Sequence, residues 1–422
     1  MSLEYQYLSE LAYDLTHART PADVLVACTQ FRGDLDKYKA VVTLDEYREF
    51  DQIKRLKKVI DSNKEFLSFY FDSFSLYFTE KKMLSEMITN KTTYFRVDYS
   101  IAFDTNFASY IEKFVEGKGM GDASNSVYSL IDMLIRFDFN YDYNFYLTEN
   151  MKQIYNHRYE INKDSEEAII HNIESLELFK SINTKNYIEK GIVEYTISRN
   201  EARKYARSLL DLVFNNKEML GYNKDVLRLQ RNILLSIIGM IKIQYKSKCN
   251  ARNKMKDYFN YINEVVGVYL DREAIIAFEY FDKNPKTSIF NKIARNMKQE
   301  RLFDRLDNIA WDFMIPRFLE RQFAIGGEGD FYLPFFISLD RGLHNMLDLH
   351  KIKGLINKKG TLITVPIPKY ESREYFISKG LGDVYECHLD TKSKRQSMFN
   401  RSEREEKETL ENQINELKEI LF

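Results

Sequence analysis

"YSIAFDTNF", Tyr99 to Phe107, is an apolar run that ends on an aspartate and passes at once into Thr-Asn. Far downstream "FFISLDRGL", Phe335 to Leu343, repeats the pattern. The wider segment 94–103, "YFRVDYSIAF", is aromatic and β-branched without a helical stripe, so it predicts a buried strand ending near Phe103. "FYLPFFISL" predicts a second strand. A strand ending in Asp puts a carboxylate at the carboxyl edge of a sheet, where open α/β sheets bind ligands. Two such strands would set Asp104 and Asp340 side by side. Helical sequence follows each of them, so each also reads as a helix N-cap.

Composition narrows the function classes. The chain has 422 residues, 44% of them hydrophobic, enough for two or three domains. Its 62 basic and 63 acidic residues leave a net charge of -1, so nucleic acid would have to meet a local patch. The aromatic share of 14% predicts an aromatic-rich core. Three cysteines, Cys28, Cys249 and Cys387, predict no disulfide framework and a reducing cytoplasm. Cys387-His388 is too close-set for a zinc site by itself. The acidic N-terminus lacks a signal-peptide pattern. The most apolar segment, Ile233 to Ile241, falls short of the ~20 residues that span a bilayer. A cytoplasmic protein away from membranes is expected.

Only 6 Pro and 16 Gly predict long helices. Residues 1–90 read as a helical N-terminal region, with Leu8, Leu11 and Leu15, and later Phe66, Phe69, Tyr70 and Phe74, at helical spacing. Thr20 and Pro21 mark a helix entry. Residues 91–160 and 301–390 read as two parts of one core, separated by a helical insertion at 161–300. That insertion holds a helix capped by Asp164 or Ser165, a buried helix through "DVLRLQRNILLSIIGMIKI", and a helix from Asp271 to Phe281. Residues 305–320 form a helix around Pro316, and Thr361 to Tyr370 is extended. In the tail, 391–422, Leu410, Ile414, Leu417 and Leu421 predict a docking helix or a short coiled coil, through which a second copy or a protein partner would bind.

Clustered carboxylates repel unless a cation neutralises them, and hard oxygens suit Mg²⁺ or Mn²⁺. "AFDTN" (102–106) resembles the opening aspartate motif of PIN-domain (PilT N-terminus-like) ribonucleases. "FFISLDRGLHNML" resembles their late strand, with Ser338 two residues before Asp340. The resemblance covers 95–150 and 300–350. It implies an α/β fold with a three-layer core and a parallel sheet, here embedded in a predominantly helical protein. It implies three or four acids around Mg²⁺ or Mn²⁺ and cleavage of RNA, with DNA as the second choice, by metal-activated water. Such ribonucleases often act as toxins or defence effectors.

The resemblance places a third acid on the helix before the late strand. In "DNIAWDFMIPRFLE" Asp312 is favoured and Asp307 is the alternate, since Asn308 and Asp312 share a helix face. A further acid is Glu149, with Glu273 and Glu279 as alternates. The candidate catalytic set is therefore Asp104, Glu149, Asp312 and Asp340, of which Asp104, Asp312 and Asp340 would hold the metal. Asn106, Asn308, Ser338 and Arg341 would contact substrate. Trp311 reads as a core residue beside the site. His344 and His350 would orient a phosphate or sit on a helix surface. Arg317, Arg321 and Arg341 would hold an RNA backbone or serve no function. The basic stretch Thr391 to Arg404 is a phosphate contact or a linker. Gly117, Gly119 and Gly121 follow a helix and make no nucleotide loop. The competing expectation is a helical interaction protein without catalysis.

Overall fold

The computed structural model describes residues 3–49, 53–63, 65–89, 91–121, 124–150, 163–389 and 401–422. Among these residues, eight strands make two four-stranded sheets: β1 (Tyr38–Thr43), β2 (Leu67–Phe69), β3 (Leu76–Glu80), β4 (Val97–Phe103), β5 (Tyr141–Asp142), β6 (Phe331–Ile337), β7 (Ile352–Lys358) and β8 (Thr364–Pro368). Helices account for most of the remainder, so the fold is mixed α/β.

The sheet that positions the site has the order β2-β6-β4-β5. β4 and β6 pair in parallel, from Val97 opposite Phe331 to Phe103 opposite Ile337. Every residue of β6 is buried, as expected of a central strand covered on both faces. Phe335 stacks on Phe69 at 4.9 Å, and Phe336 meets Phe145 edge-on at 5.3 Å. Because the two strands end level, the residues that follow them emerge together at one edge. β5 runs parallel to β4 on its other side. β2 runs antiparallel to β6, so this sheet is mixed and not purely parallel. The second sheet, β3-β1-β7-β8, is antiparallel throughout.

Several expectations hold. β4 ends at Phe103, β8 lies inside the extended segment, and a helix spans Leu302–Ile325 with Pro316 inside it. Thr20 caps the Pro21–Gln30 helix in a capping box with Asp23. The Lys217–Lys246 helix is buried through Ile233, Ile237, Ile238 and Ile241.

Others need correction. The N-terminal region is not all helical: it contributes β1, β2 and β3. Phe69, at helical spacing from Phe66, ends a three-residue strand in which Leu67 and Phe69 are buried around half-buried Ser68, and Phe66 precedes it. A window that short satisfies both periods. β1 pairs with β7, so the N-terminal region shares a sheet with the end of the chain. Asp164 and Ser165 fall inside the Lys163–Lys180 helix and do not precede it. The C-terminal helix, Glu403–Leu421, spends its apolar stripe within the chain, against the Lys217–Lys246 helix. There Leu417 is fully buried, Arg228 pairs with Glu406 at 2.8 Å, and Lys242 reaches Gln413 at 2.6 Å. That stripe is not left over for a second copy. No helix among the described residues is long and apolar enough to cross a membrane.

Leu417→Ala should therefore cost about 2–5 kcal/mol in urea unfolding, the range for a buried leucine that leaves a cavity. A change below about 0.5 kcal/mol, as at exposed sites, would contradict the docking.

Candidate functional site

Asp104 directly follows β4 and caps the Thr105–Val115 helix, its Oδ1 accepting from the Phe107 N–H at 2.6 Å. Its Oδ2 accepts from the Ser338 hydroxyl at 2.5 Å. The Ser338 Oγ in turn accepts from the Asp340 N–H at 3.0 Å. One serine at the end of β6 thus links the two strand-end aspartates. Asp340 caps the Arg341–Leu349 helix through Oδ1, which takes the Gly342 and Leu343 N–H groups at 2.8 and 3.2 Å. Each aspartate is both a cap and a member of the cluster.

Two further acids complete the group. Asp312 projects from the Leu302–Ile325 helix, and Glu149 ends the Asn144–Glu149 helix. The Thr105 N–H donates to Glu149 Oε2 at 3.3 Å, and the Thr105 hydroxyl donates to the same oxygen. All four carboxylates line one small cavity of about 250 Å³, with Asn106 and Asn308 on its wall.

A lysine sits among them. The Nζ of Lys292 lies 2.7 Å from Asp340 Oδ2 and 3.2 Å from Asp312 Oδ2. Lys292 closes a short 3₁₀ segment, Pro285–Lys292, anchored by buried Ile289 and Phe290. Phe290 packs on Phe313, the neighbour of Asp312, which brings the ammonium beside that carboxylate. Gly342 permits the approach from the other side: a Cβ there would meet the Ile289 backbone at 3.3 Å.

The charges do not balance: four carboxylates face one ammonium. Burial, followed by the nearby Glu149 and Asp340 charges, pushes the Asp104 carboxyl up to about 7 despite its hydrogen bonds. Burial also pushes Asp312 up to about 7, with Lys292 pulling against it and Glu149 and Asp340 adding to it. Burial works to raise Asp340 too, but Lys292 and the two helix N–H groups hold it below the usual carboxylate range. Lys292 is held above its ordinary value by Asp312 and Asp340, against burial. Near neutral pH the cavity therefore retains protons or needs another cation. Among the described residues, no group of three or more His, Cys, Asp or Glu side chains stands ready to hold a metal ion. Lys292 stands between two of the acids, and Ser338 holds a third.

Other candidates divide clearly. Glu273 is fully buried in a two-pronged pair with Arg317, at 2.7 and 2.8 Å. Glu279 accepts from Asn284 at 2.5 Å and from the Tyr375 hydroxyl, and Asp307 accepts from Gln230 at 2.8 Å. None of these three acids lines the cavity, whereas Glu149 and Asp312 do. Ser338 is completely buried, so it positions Asp104 and does not meet substrate. Arg341 is exposed, pairs with Glu65 at 2.9 Å, and lines an adjoining groove with Asn106, Tyr110 and Lys113. Arg317 is consumed by Glu273, and Arg321 stacks over Tyr222 with 3.3 Å to the ring centre.

His344 is buried and not on a helix surface: its ring joins the Ser338 carbonyl, at 2.8 Å, to the Ser68 hydroxyl. Trp311 is in the core, as expected. Positions 391–400 of the basic stretch lie outside the described residues, and Arg401 donates to the Val266 carbonyl at 2.9 Å. Lys292 was missed because it follows no periodic signal in a segment read as insertion. The one hint was the acid excess itself, which demands a nearby cation.

Lys292→Met should destabilise the protein at pH 8 by about 1–3 kcal/mol, leaving two carboxylates without their cation. Because the folded-state value of Asp340 is depressed, its stabilisation is present above the unfolded carboxylate value and is lost as pH falls through the folded one. The deficit in urea unfolding should accordingly shrink on acidification below about pH 4. A deficit independent of pH would contradict the pairing.

No protein-family model, curated protein or solved structure matches this chain.

Proposed function

We propose that the chain is a metal-dependent phosphodiesterase with a PIN-like core, cleaving RNA by attack of water on the phosphate. One observation carries the reading: Asp104, Glu149, Asp312 and Asp340, from four separate stretches, line a single cavity at the carboxyl edge of two parallel strands. The donor set consists of hard carboxylate oxygens with an excess of negative charge, which fits Mg²⁺ or Mn²⁺. Asp104, Asp312 and Asp340 would hold the ion. Bound there, such an ion lowers the pKa of a coordinated water and draws charge from the phosphate.

The protein's own groups take the remaining roles. Ser338 and the Phe107 N–H fix the Asp104 carboxylate. Glu149, which Thr105 holds through its N–H and hydroxyl, would take a proton from water. Asn106 and Asn308 offer amides to phosphate oxygens. Lys292 would exchange its carboxylate partners for a phosphate oxygen when the ion enters. RNA is preferred to DNA on the resemblance alone, and so is a role as toxin or defence effector, while the cytoplasmic setting rests on the sparse cysteines and the acidic N-terminus.

The second reading is a non-catalytic protein whose acid cluster is neutralised by Lys292 and by protons on Asp104 and Asp312. The tight Lys292 contacts favour it.

Purified protein should cleave single-stranded RNA with Mn²⁺ and stop when EDTA is added. Asp104→Asn and Asp340→Asn should each lower the rate by about 10²-fold or more. Equal cleavage by these variants would remove the acids from the mechanism. Ion entry must also displace protons from Asp104 and Asp312, so the Mn²⁺-induced rise in melting temperature should grow from pH 6 to pH 8. A constant or absent rise would favour the second reading.

A further inference from the structure

A cavity of about 650 Å³, which shares no lining residue with the acid cavity, opens between the Asp271–Phe281 helix, the start of the Pro285–Lys292 segment, and the ends of β8 and of the Arg341–Leu349 helix. Its size is in the range of small-molecule sites. Four lysines from separate elements converge on it: Lys286, Lys351, Lys369 and Lys379. Their ion pairs are long. Lys286 and Lys351 share one carboxylate, Asp348, at 3.4 and 3.3 Å. Lys369 finds Asp72 only at 3.9 Å, and the other oxygen of Asp72 already accepts from Thr43. Lys379 lies 3.5 Å from Glu279, which Asn284 and Tyr375 already satisfy.

The inner wall is polar but carries no further positive charge. His350 lines it, and the Arg272 Nε donates to its Nδ1 at 3.4 Å. Arg272 is buried, and its Nη1 has no hydrogen-bond partner. Burial and the Arg272 charge keep His350 neutral, so its ring can serve as an acceptor or donor without carrying charge. At the rim Tyr370 is 60% exposed, with the Lys369 ammonium 5.7 Å from its ring centre. Glu374, also on the wall, is half exposed and meets only the His17 ring, at 3.2 Å.

We propose that this pocket binds a nucleoside phosphate. The phosphates would lie among Lys286, Lys351 and Lys369, which would exchange their long carboxylate contacts for charge-assisted hydrogen bonds. The base would lie on the exposed Tyr370 face, with the Glu374 oxygen that does not face His17 accepting from an exocyclic amine.

The test is isothermal titration of the full-length protein, in EDTA so that the acid cavity plays no part, with ATP, AMP and inorganic phosphate as separate probes. ATP should bind more tightly than inorganic phosphate by about tenfold or more, reflecting the ring contact. The double variant Lys286→Ala/Lys351→Ala should weaken ATP by about tenfold or more, while Asp312→Asn leaves it unchanged. All the substituted lysines are partly exposed, and an unchanged melting temperature would exclude unfolding as the cause. No heat from ATP at millimolar concentration, or binding that ignores the lysine substitutions, would overturn the site. Equal affinity for ATP and inorganic phosphate, or no loss in Tyr370→Ser, would overturn the nucleoside assignment. A protein inactive on RNA would leave these results unaffected.

Discussion

The in-register parallel pairing of β4 with β6 is the constraint from which the site follows. Side chains alternate along a strand, so a slip of one residue would turn Asp104 and Ser338 to the wrong faces. Held level, Phe103 and Ile337 end their strands together, and the Ser338 hydroxyl can then bond Asp104 while accepting from the Asp340 backbone. The pairing is itself secured by aromatic packing, with Phe335 against Phe69 and Phe336 against Phe145. The same hydrogen bonds that cap two helices also aim two carboxylates. Capping and clustering, which looked like rival explanations of one residue, are two consequences of one strand end.

Bringing acids together has an electrostatic cost, and the structure shows how it is met. Lys292 neutralises one charge, and burial keeps protons on Asp104 and Asp312 up to about pH 7. On the proposed reading, a cavity in that condition would exchange protons for a divalent cation. The lysine comes from the end of the 161–300 stretch, so this region is part of the site and not an appendage to it. Arg272 and Glu273, from the same region, form buried pairs with Glu320 and Arg317 of the Leu302–Ile325 helix that carries Asp312. Removing one partner of such a pair leaves a buried charge, so these residues are expected to matter for folding and not for chemistry.

How much of this was legible in the sequence depended on the range of the interaction. β4 and β6 announced themselves as long apolar runs, and Asp104, Asp312 and Asp340 stand out by their placement at strand ends or on a helix face. Glu149 could not be told from Glu273 or Glu279, because only tertiary packing decides which acid faces the cavity. β1, β2, β3, β5 and β7 were missed. β2 and β5 are only three and two residues long, and β7 holds Gly354, whose missing Cβ admits the Val41 carbonyl of β1. Such a close approach has no local signature. Ser338 was noticed for its position but given the wrong partner: it meets Asp104 and not substrate, a distinction that only its burial reveals.

The central proposal is that Asp104, Asp312 and Asp340 hold a divalent cation, with Glu149 beside it. Anomalous diffraction at the manganese edge, from crystals grown with Mn²⁺, tests it most directly. The account predicts a peak inside the acid cavity, about 2.1–2.2 Å from oxygens of Asp104, Asp312 or Asp340, with the Lys292 ammonium moved off Asp312. A cavity without a peak, with Lys292 still between Asp312 and Asp340, would contradict it.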